Sequence, residues 1–319
     1  LQLYVGRKGG AQALLHYGSK RTPVLNAELQ FQGPQATSHY RFTLAHSAGD
    51  RFIYAHEEVG FLREGHPVPF RAILGEGHRE SELLPLSRTA GAAQKQRVAR
   101  IFVNRLKEVQ AYHFQDTTDD SKMRNSQDAS RNTFLLSHGG NLAAFLYALQ
   151  QTRPAHYQRI LETFQTIVPF VRQLILRPDV LDPSSILLRW QDRNPDYEFG
   201  GHQLSDGSFK ALALAPALLQ PEDTMPGIIL LDEPELGLHP FAITILSEMI
   251  EAAARRSQVI LATQSVTLLN QFSPEAIIIA DNDGLRTHFR RLAEQDLSSW
   301  MNDYSVGDLW EKNIIGARP

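Results

Sequence analysis

An apolar run, Gly227-Ile228-Ile229-Leu230-Leu231, delivers two consecutive carboxylates, Asp232 and Glu233, ahead of Pro234 and Glu235. Adjacent carboxylates at the end of a buried strand can divide the work of phosphoryl transfer. One holds Mg2+ through its water shell, and the next orients and deprotonates an attacking water. The same pair also serves as a plain cap or turn, and strand-plus-Asp-Glu is a short pattern. Upstream, Gln203-Leu-Ser-Asp-Gly-Ser-Phe-Lys210 is a Ser/Gly turn leading into an Ala/Leu-rich helix. Backbone N–H groups at a helix start attract anions, and Ser205 adds a hydroxyl. Taken alone, an ordinary N-cap by Ser205 or Asp206 accounts for the same residues. Downstream stand Gly237-Leu-His-Pro240 and Leu261-Ala-Thr-Gln-Ser265. LSDG, DEPE, GLHP and ATQS in this order are far less expected by chance than any one of them.

Such residues need a sheet edge to converge on, because ligands of open α/β sheets bind beyond the carboxyl ends of the strands. Gly227–Asp232, Gln258–Thr263 and Ala276–Ala280 read as fully apolar short strands of a buried parallel sheet. Helices are expected over Ser208–Leu219, Pro240–Arg256 and Asp296–Lys312. Nearer the start, residues 24–33 and 39–58 alternate apolar with polar around Ser47-Ala48-Gly49-Asp50, which predicts antiparallel strands. Val98, Ile101, Phe102 and Leu106 recur at helical spacing within 92–107, and Gln110–Phe114 reads as a short strand. Gln115 to Asn132 is loop-like. Residues 141–177 carry helical patterns divided near Pro154 and interrupted at Pro169.

On these motifs the segment from about Phe199 to Ala280 resembles the ABC-type ATPase head of RecF/SMC/OLD-like AAA family ATPases. LSDGSFK stands as the signature, IILLDEPE as Walker B, GLHP as the D-loop and ATQS at the switch position. The resemblance implies an α/β fold of the P-loop NTPase kind, with an antiparallel β lobe (1–115), a helical lobe (116–199) and a C-terminal parallel-sheet lobe (200–319). It implies ATP and Mg2+ as cofactors. By position, Asp232 would coordinate Mg2+ and Glu233 would be the catalytic carboxylate, with Gln264 at the γ-phosphate. Ser205 and Gly207 would touch ATP held by a partner head, His239 would belong to the D-loop, and Gln115 would be the Q-loop glutamine. A head-to-head homodimer closing on nucleotide follows. Its output would be control of a nucleic-acid transaction or of a separate effector protein such as a nuclease, as in DNA repair or phage defence.

Three departures bear on the transfer. No GxxxxGK(S/T) occurs in the 319 residues; Gly6–Gly10 (GRKGG) and Gly18–Thr22 (GSKRT) fail the spacing. The strand, Walker A loop and helix that precede the β lobe in this family are therefore expected upstream of Leu1. Gln264 occupies a position where many heads carry histidine, and it can hydrogen-bond a phosphate but not become cationic. Gln115 is one glutamine after a strand, a pattern a solvated loop residue also fits.

Composition bounds the rest. With 42% hydrophobic and 21% charged residues the chain can bury a substantial core. Lys+Arg 32 against Asp+Glu 35 gives no overall electrostatic case for nucleic acid, so DNA would need a local patch. Lys95, Arg97, Arg100, Arg105 and Lys107 form one basic stripe, which as a solvated helix face needs no ligand. The absence of cysteine excludes disulfides, thiol nucleophiles and Cys-ligated metals. The twelve histidines show no zinc-type spacing. No apolar run reaches the ~18 residues of a membrane span, and the start lacks a signal-peptide core, so a cytoplasmic protein without membrane contact is expected. Trp300, Tyr304, Leu309 and Trp310 are expected to pack a terminal helix, and only about forty residues follow the last core strand, too few for an appended nuclease domain. Two rivals remain: a non-hydrolysing ATP-gated scaffold, which the missing Walker A favours and Glu233 opposes, and an ABC transporter ATPase subunit, for which LSGGQ would be expected instead of LSDG.

Overall fold

The computed structural model describes residues 1–33, 35–65, 68–91, 93–118, 120–292 and 304–316. They form two compact units, Leu1–Glu108 and Val109–Pro319.

The first unit opens with the short helices α1 (Gln2–Arg7) and α2 (Ala11–Leu14). Strands β1 (Val24–Gln32), β2 (Ala36–Ser47), β3 (Arg51–Arg63) and β4 (Phe70–Gly75) follow as an antiparallel sheet in sequential order. Gly49 and Asp50, with φ of +78° and +53°, turn β2 into β3, where the sequence places the turn. Asp tolerates this left-handed conformation better than most side chains. Helices α3 (Leu83–Arg88) and α4 (Gln94–Lys107) complete the unit. Val98, Ala99 and Phe102 of α4 pack with Tyr40, Val59 and Leu74 of the sheet. Ile101, read from its spacing as part of the buried stripe, instead lies 51% exposed: the buried face runs through Val98, Ala99 and Phe102. The GRKGG segment closes α1. The amides of Ala11 and Gln12 donate to the Asp50 carbonyl (3.1 Å) and Oδ1 (2.8 Å).

The second unit begins with β5 (Val109–Tyr112), followed by β6 (Gln127–Asp128), α5 (Leu142–Thr152) and α6 (Pro154–Ile167). Pro154 starts α6 at a position that needs no N–H. Beyond Pro169 the expected helix does not resume. Residues Gln173–Ile175 are strand β7, paired antiparallel with β9 (Arg189–Gln191), while the intervening β8 (Ser185–Ile186) pairs with β6. Proline ends the helix, and Val171, Leu174 and Leu176 are buried while Arg172 and Gln173 stay exposed, the alternation of a strand. Then come β10 (Phe199–Gly200), α7 (Asp206–Leu219), β11 (Ile228–Asp232), α8 (Pro240–Ala254), β12 (Gln258–Ala262) and the turn-length α9 (Val266–Leu269).

β11 is the centre of a parallel sheet, with β12 on one side and β5 on the other. Ile229, Leu231, Val259 and Leu261 join the main core with Leu246, Met249 and Ile250 of α8 and the apolar residues of α7 from Phe209 to Leu219. A helix that is apolar all round is a buried one. The third expected parallel strand differs. β13 (Ile278–Asn282) turns through Gly284 (φ +84°) and pairs antiparallel with β14 (Thr287–Arg291). Asp283 Oδ1 accepts the Leu285 and Arg286 amides, fixing this hairpin locally. Of the expected helix 296–312, Val306–Glu311 is helical; Trp300 lies outside the described residues. Leu309 is fully buried, and Trp310 packs against its cluster with Ile279, Leu292 and Ile315.

Candidate functional site

The strand registers place the motif residues at one edge of the second unit. Leu231 pairs with Tyr112 and Asp232 with Ala262, so Gln115, Asp232, Glu233 and Gln264 all follow the carboxyl ends of adjacent parallel strands. Gln115 Nε2 donates to Asp232 Oδ2 at 3.3 Å, joining residues 117 apart in the chain. Both side chains are exposed, as is Gln264. No hydrogen bond or ion pair joins Ser205, Gly207 or His239 to this group.

Glu233 sits at φ +40°, a left-handed backbone that a residue with a Cβ adopts only when its surroundings hold it. Both of its backbone polar groups are held. Its N–H donates to the Ala262 carbonyl at 2.9 Å, and its carbonyl accepts from Lys210 Nζ at 2.8 Å. Lys210 also donates to the Leu236 carbonyl at 3.1 Å. Burial lowers the Lys210 pKa, opposed by the charges of Glu235, Glu233 and Asp232. Two residues on, Glu235 is 8% exposed; one carboxylate oxygen accepts from Thr263 Oγ1, which itself accepts the Ser265 amide at 2.9 Å. The other oxygen, Oε2, is buried without a hydrogen-bond partner. The turn after β11 is thereby tied to the ATQS segment on one side and to α7 on the other.

Ser205 caps α7, accepting the Ser208 amide at 3.2 Å, and its hydroxyl is exposed beside that of Ser208 (2.9 Å). Gly207 is required by packing: a Cβ there would stand 2.4 Å from the Gly237 carbonyl oxygen. The start of α7 and the GLHP turn of the same chain thus touch backbone to backbone. His239 caps α8, its Nδ1 accepting the Phe241 amide at 3.3 Å.

Three participants escape sequence reasoning. Arg124, in the stretch read as plain loop, is buried and donates to the carbonyls of Thr117 (2.7 Å), Gly201 (2.7 Å) and Leu204 (3.2 Å) and to Asp206 (2.9 Å), with its guanidinium 4.6 Å from the Phe209 ring. It links the segment after Gln115 to the LSDG turn. An isolated arginine in a polar stretch carries no periodic signal. Glu235 hides inside the DEPE motif. Lys210 had a legible signal: a lysine within a helix apolar on every side must be paired, because lysine is almost never fully buried otherwise.

The donor set fits Mg2+ with a bound nucleotide. Asp232 offers a carboxylate and Gln115 an amide oxygen, hard ligands that Mg2+ supplements with phosphate and water. Among the described residues no group of three or more His, Cys, Asp or Glu forms a self-sufficient metal site.

Over 130 residues the chain is 31% identical to a Methanosarcina acetivorans protein named "Putative ABC transporter ATP-binding protein", covering 40% of this chain and 41% of that one. It is 34% identical over 99 residues to the Escherichia coli "Glutathione/L-cysteine transport system ATP-binding/permease protein CydC", covering 30% of this chain and 16% of that protein. The chain thus spans less than half the length of either relative. Among solved structures, an SMC head bound to the C-terminal winged-helix domain of ScpA covers 83% of this chain and 76% of its own, with 12% identity and a TM-score of 0.47. A family model described as "AAA domain, putative AbiEii toxin, Type IV TA system" matches residues 82–270, more than half of the sequence. The chain belongs to that family of AAA ATPase domains.

Proposed function

We propose that the protein binds and hydrolyses ATP in the cytoplasm, at the carboxyl edge of the β12-β11-β5 sheet, and closes into a head-to-head homodimer on the nucleotide. The observation that carries this reading is the Gln115–Asp232 hydrogen bond, which joins the segment after the flanking strand β5 to the end of the central strand β11, at the edge where Glu233 and Gln264 also emerge. Asp232 would hold the metal, with Gln115 orienting its carboxylate. Mg2+ bound with ATP neutralises phosphate charge. Glu233 would accept the proton of the attacking water, and Gln264 would donate to the γ-phosphate. Ser205, exposed at the start of a long helix, would meet the nucleotide of the partner head, with Gly207 and His239 behind it. Dimer closure would then control a separate effector, a nuclease or a DNA transaction; the family description, with its toxin and Type IV TA system, supports defence.

The names of the two relatives favour one alternative, an ATPase subunit of a transporter. Among the described residues no helix is long and apolar enough to cross a membrane, so that reading requires a membrane domain outside them or on another chain. The test is ATP turnover by the full-length protein with Mg2+, alongside Asp232→Asn and Glu233→Gln. Turnover lost in both variants supports the reading, and turnover untouched by either removes it. Co-purification with a membrane permease would favour the transporter alternative.

A further inference from the structure

Lys210 is 4% exposed on a helix whose neighbouring residues Phe209, Ala211 and Leu212 are all buried and apolar. Burying an ammonium costs several kcal/mol unless the environment compensates it. Its hydrogen-bond compensation comes entirely from two main-chain carbonyls, Glu233 at 2.8 Å and Leu236 at 3.1 Å, both in the turn after β11. It makes no ion pair within 4 Å with Asp232, Glu233 or Glu235, although all three charges favour it. The lysine therefore grips backbone, and the backbone it grips belongs to a residue at φ +40°. One turn of helix nearer the N-terminus, Gly207 meets the Gly237 carbonyl so closely that no side chain fits between them. α7 and this turn consequently share two fixed points, Gly207 on Gly237 and Lys210 on Glu233 and Leu236. A shift of α7 along its axis moves both the donor that holds the Glu233 carbonyl and the glycine packed on Gly237.

We propose that Lys210 is a positioning residue that ties α7 to the left-handed backbone of Glu233, so that a ligand seated at the Ser205 end of α7 acts on the Glu233 carboxylate of the same chain. The proposal rests on the ATPase reading above. It makes each head's carboxylate responsive to whether its own signature helix is engaged by the other head's nucleotide.

A double-mutant cycle on the full-length protein tests it, with single-turnover ATP hydrolysis and the affinity of a fluorescent ATP analogue measured for wild type, Lys210→Met, Glu233→Gln and the double variant. Lys210→Met is expected to slow hydrolysis ~10- to 100-fold, the effect of a misplaced group, with analogue affinity unchanged. In the Glu233→Gln background the same substitution costs nothing further, because the residue it acts through is gone. Lys210→Arg, which keeps donors and charge, restores part of the rate. Equal losses in both backgrounds, or a Lys210→Met rate equal to wild type, overturn the proposal. If Lys210→Met does not fold, Lys210→Gln carries the same cycle with the same criteria. Wild-type protein without Asp232-dependent hydrolysis removes the ATPase reading and this proposal together; hydrolysis that needs Glu233 but ignores Lys210 removes this proposal alone.

Discussion

Two polar networks, one in each unit, use their carboxylates in opposite ways. In the first unit Glu57 is completely buried and both its oxygens are engaged: Oε1 accepts from the hydroxyls of Tyr40 (2.6 Å) and Ser81, and Oε2 accepts the Glu82 amide at 2.9 Å. In the second unit the backbone of Glu233 is held at both its polar groups, while among the described residues Glu233 makes no side-chain hydrogen bond and Asp232 accepts one, from Gln115. A saturated side chain contributes stability and has nothing left for a ligand. A saturated backbone presenting open carboxylates holds chemistry in place. Glu235 stands between the two cases, buried yet with one oxygen unpaired.

The contrast is sharpest at Glu233. Glu233→Gln should slow ATP turnover by ~10² to 10⁴, the usual consequence of losing a general base, while nucleotide affinity and the thermal midpoint stay near wild type. A large drop in the midpoint would place Glu233 with Glu57 as a structural acid and break the comparison. Glu57→Gln should do the reverse. An amide nitrogen at this site faces donors on every side, so unfolding in urea should show a loss of about 1–3 kcal/mol with turnover per folded molecule unchanged. Gly207→Ala lies between the two: its methyl group meets the Gly237 carbonyl, and the forced shift should cost about 1–3 kcal/mol and slow turnover as well. An alanine variant with wild-type stability would show that the GLHP turn yields freely.

The smallest effect is one the two units share. Burial raises the pKa of Tyr40, with Glu57 adding to it, and burial likewise raises Tyr54, Tyr112 and Tyr157, the last to about 12. A group whose folded pKa is raised contributes full stability below its unfolded pKa and loses it as pH climbs toward the folded value. Stability should therefore hold up to about pH 10 and decline above it, the unfolded tyrosine pKa being about 10. Tyrosinate absorbance measured against circular dichroism checks this. Ionisation of these four well below the loss of ellipticity would show that their burial does not govern the alkaline limit.

Much of the second unit was legible in the chain because its signals are local. Gly227 to Asp232 is apolar enough to be an inner strand, a Ser/Gly turn before an Ala/Leu run announces α7, and Pro240 marks the start of α8; each depends on residues within one turn of each other. The readings that differ from the structure are those that needed a partner. The apolar residues around Ile278 fit a parallel or an antiparallel neighbour equally, and the turn at Asp283 and Gly284 settled the choice. Gln173–Ile175 looked helical until Arg189–Gln191 offered a strand to pair with.

What the sequence determined by itself is the order of the motifs and the chemistry each carries: oxygen donors at Asp232 and Glu233, an amide at Gln264, a hydroxyl at Ser205. Tertiary structure alone decided which of them meet. Gln115 reaches Asp232 across 117 residues, Arg124 joins the loop after Gln115 to the LSDG turn, and Lys210 holds the carbonyl of Glu233. The physical reason is that a hydrogen bond between distant segments has no sequence period: its energy depends on angles and distances that exist only after the apolar faces of α7, α8 and the parallel sheet have packed.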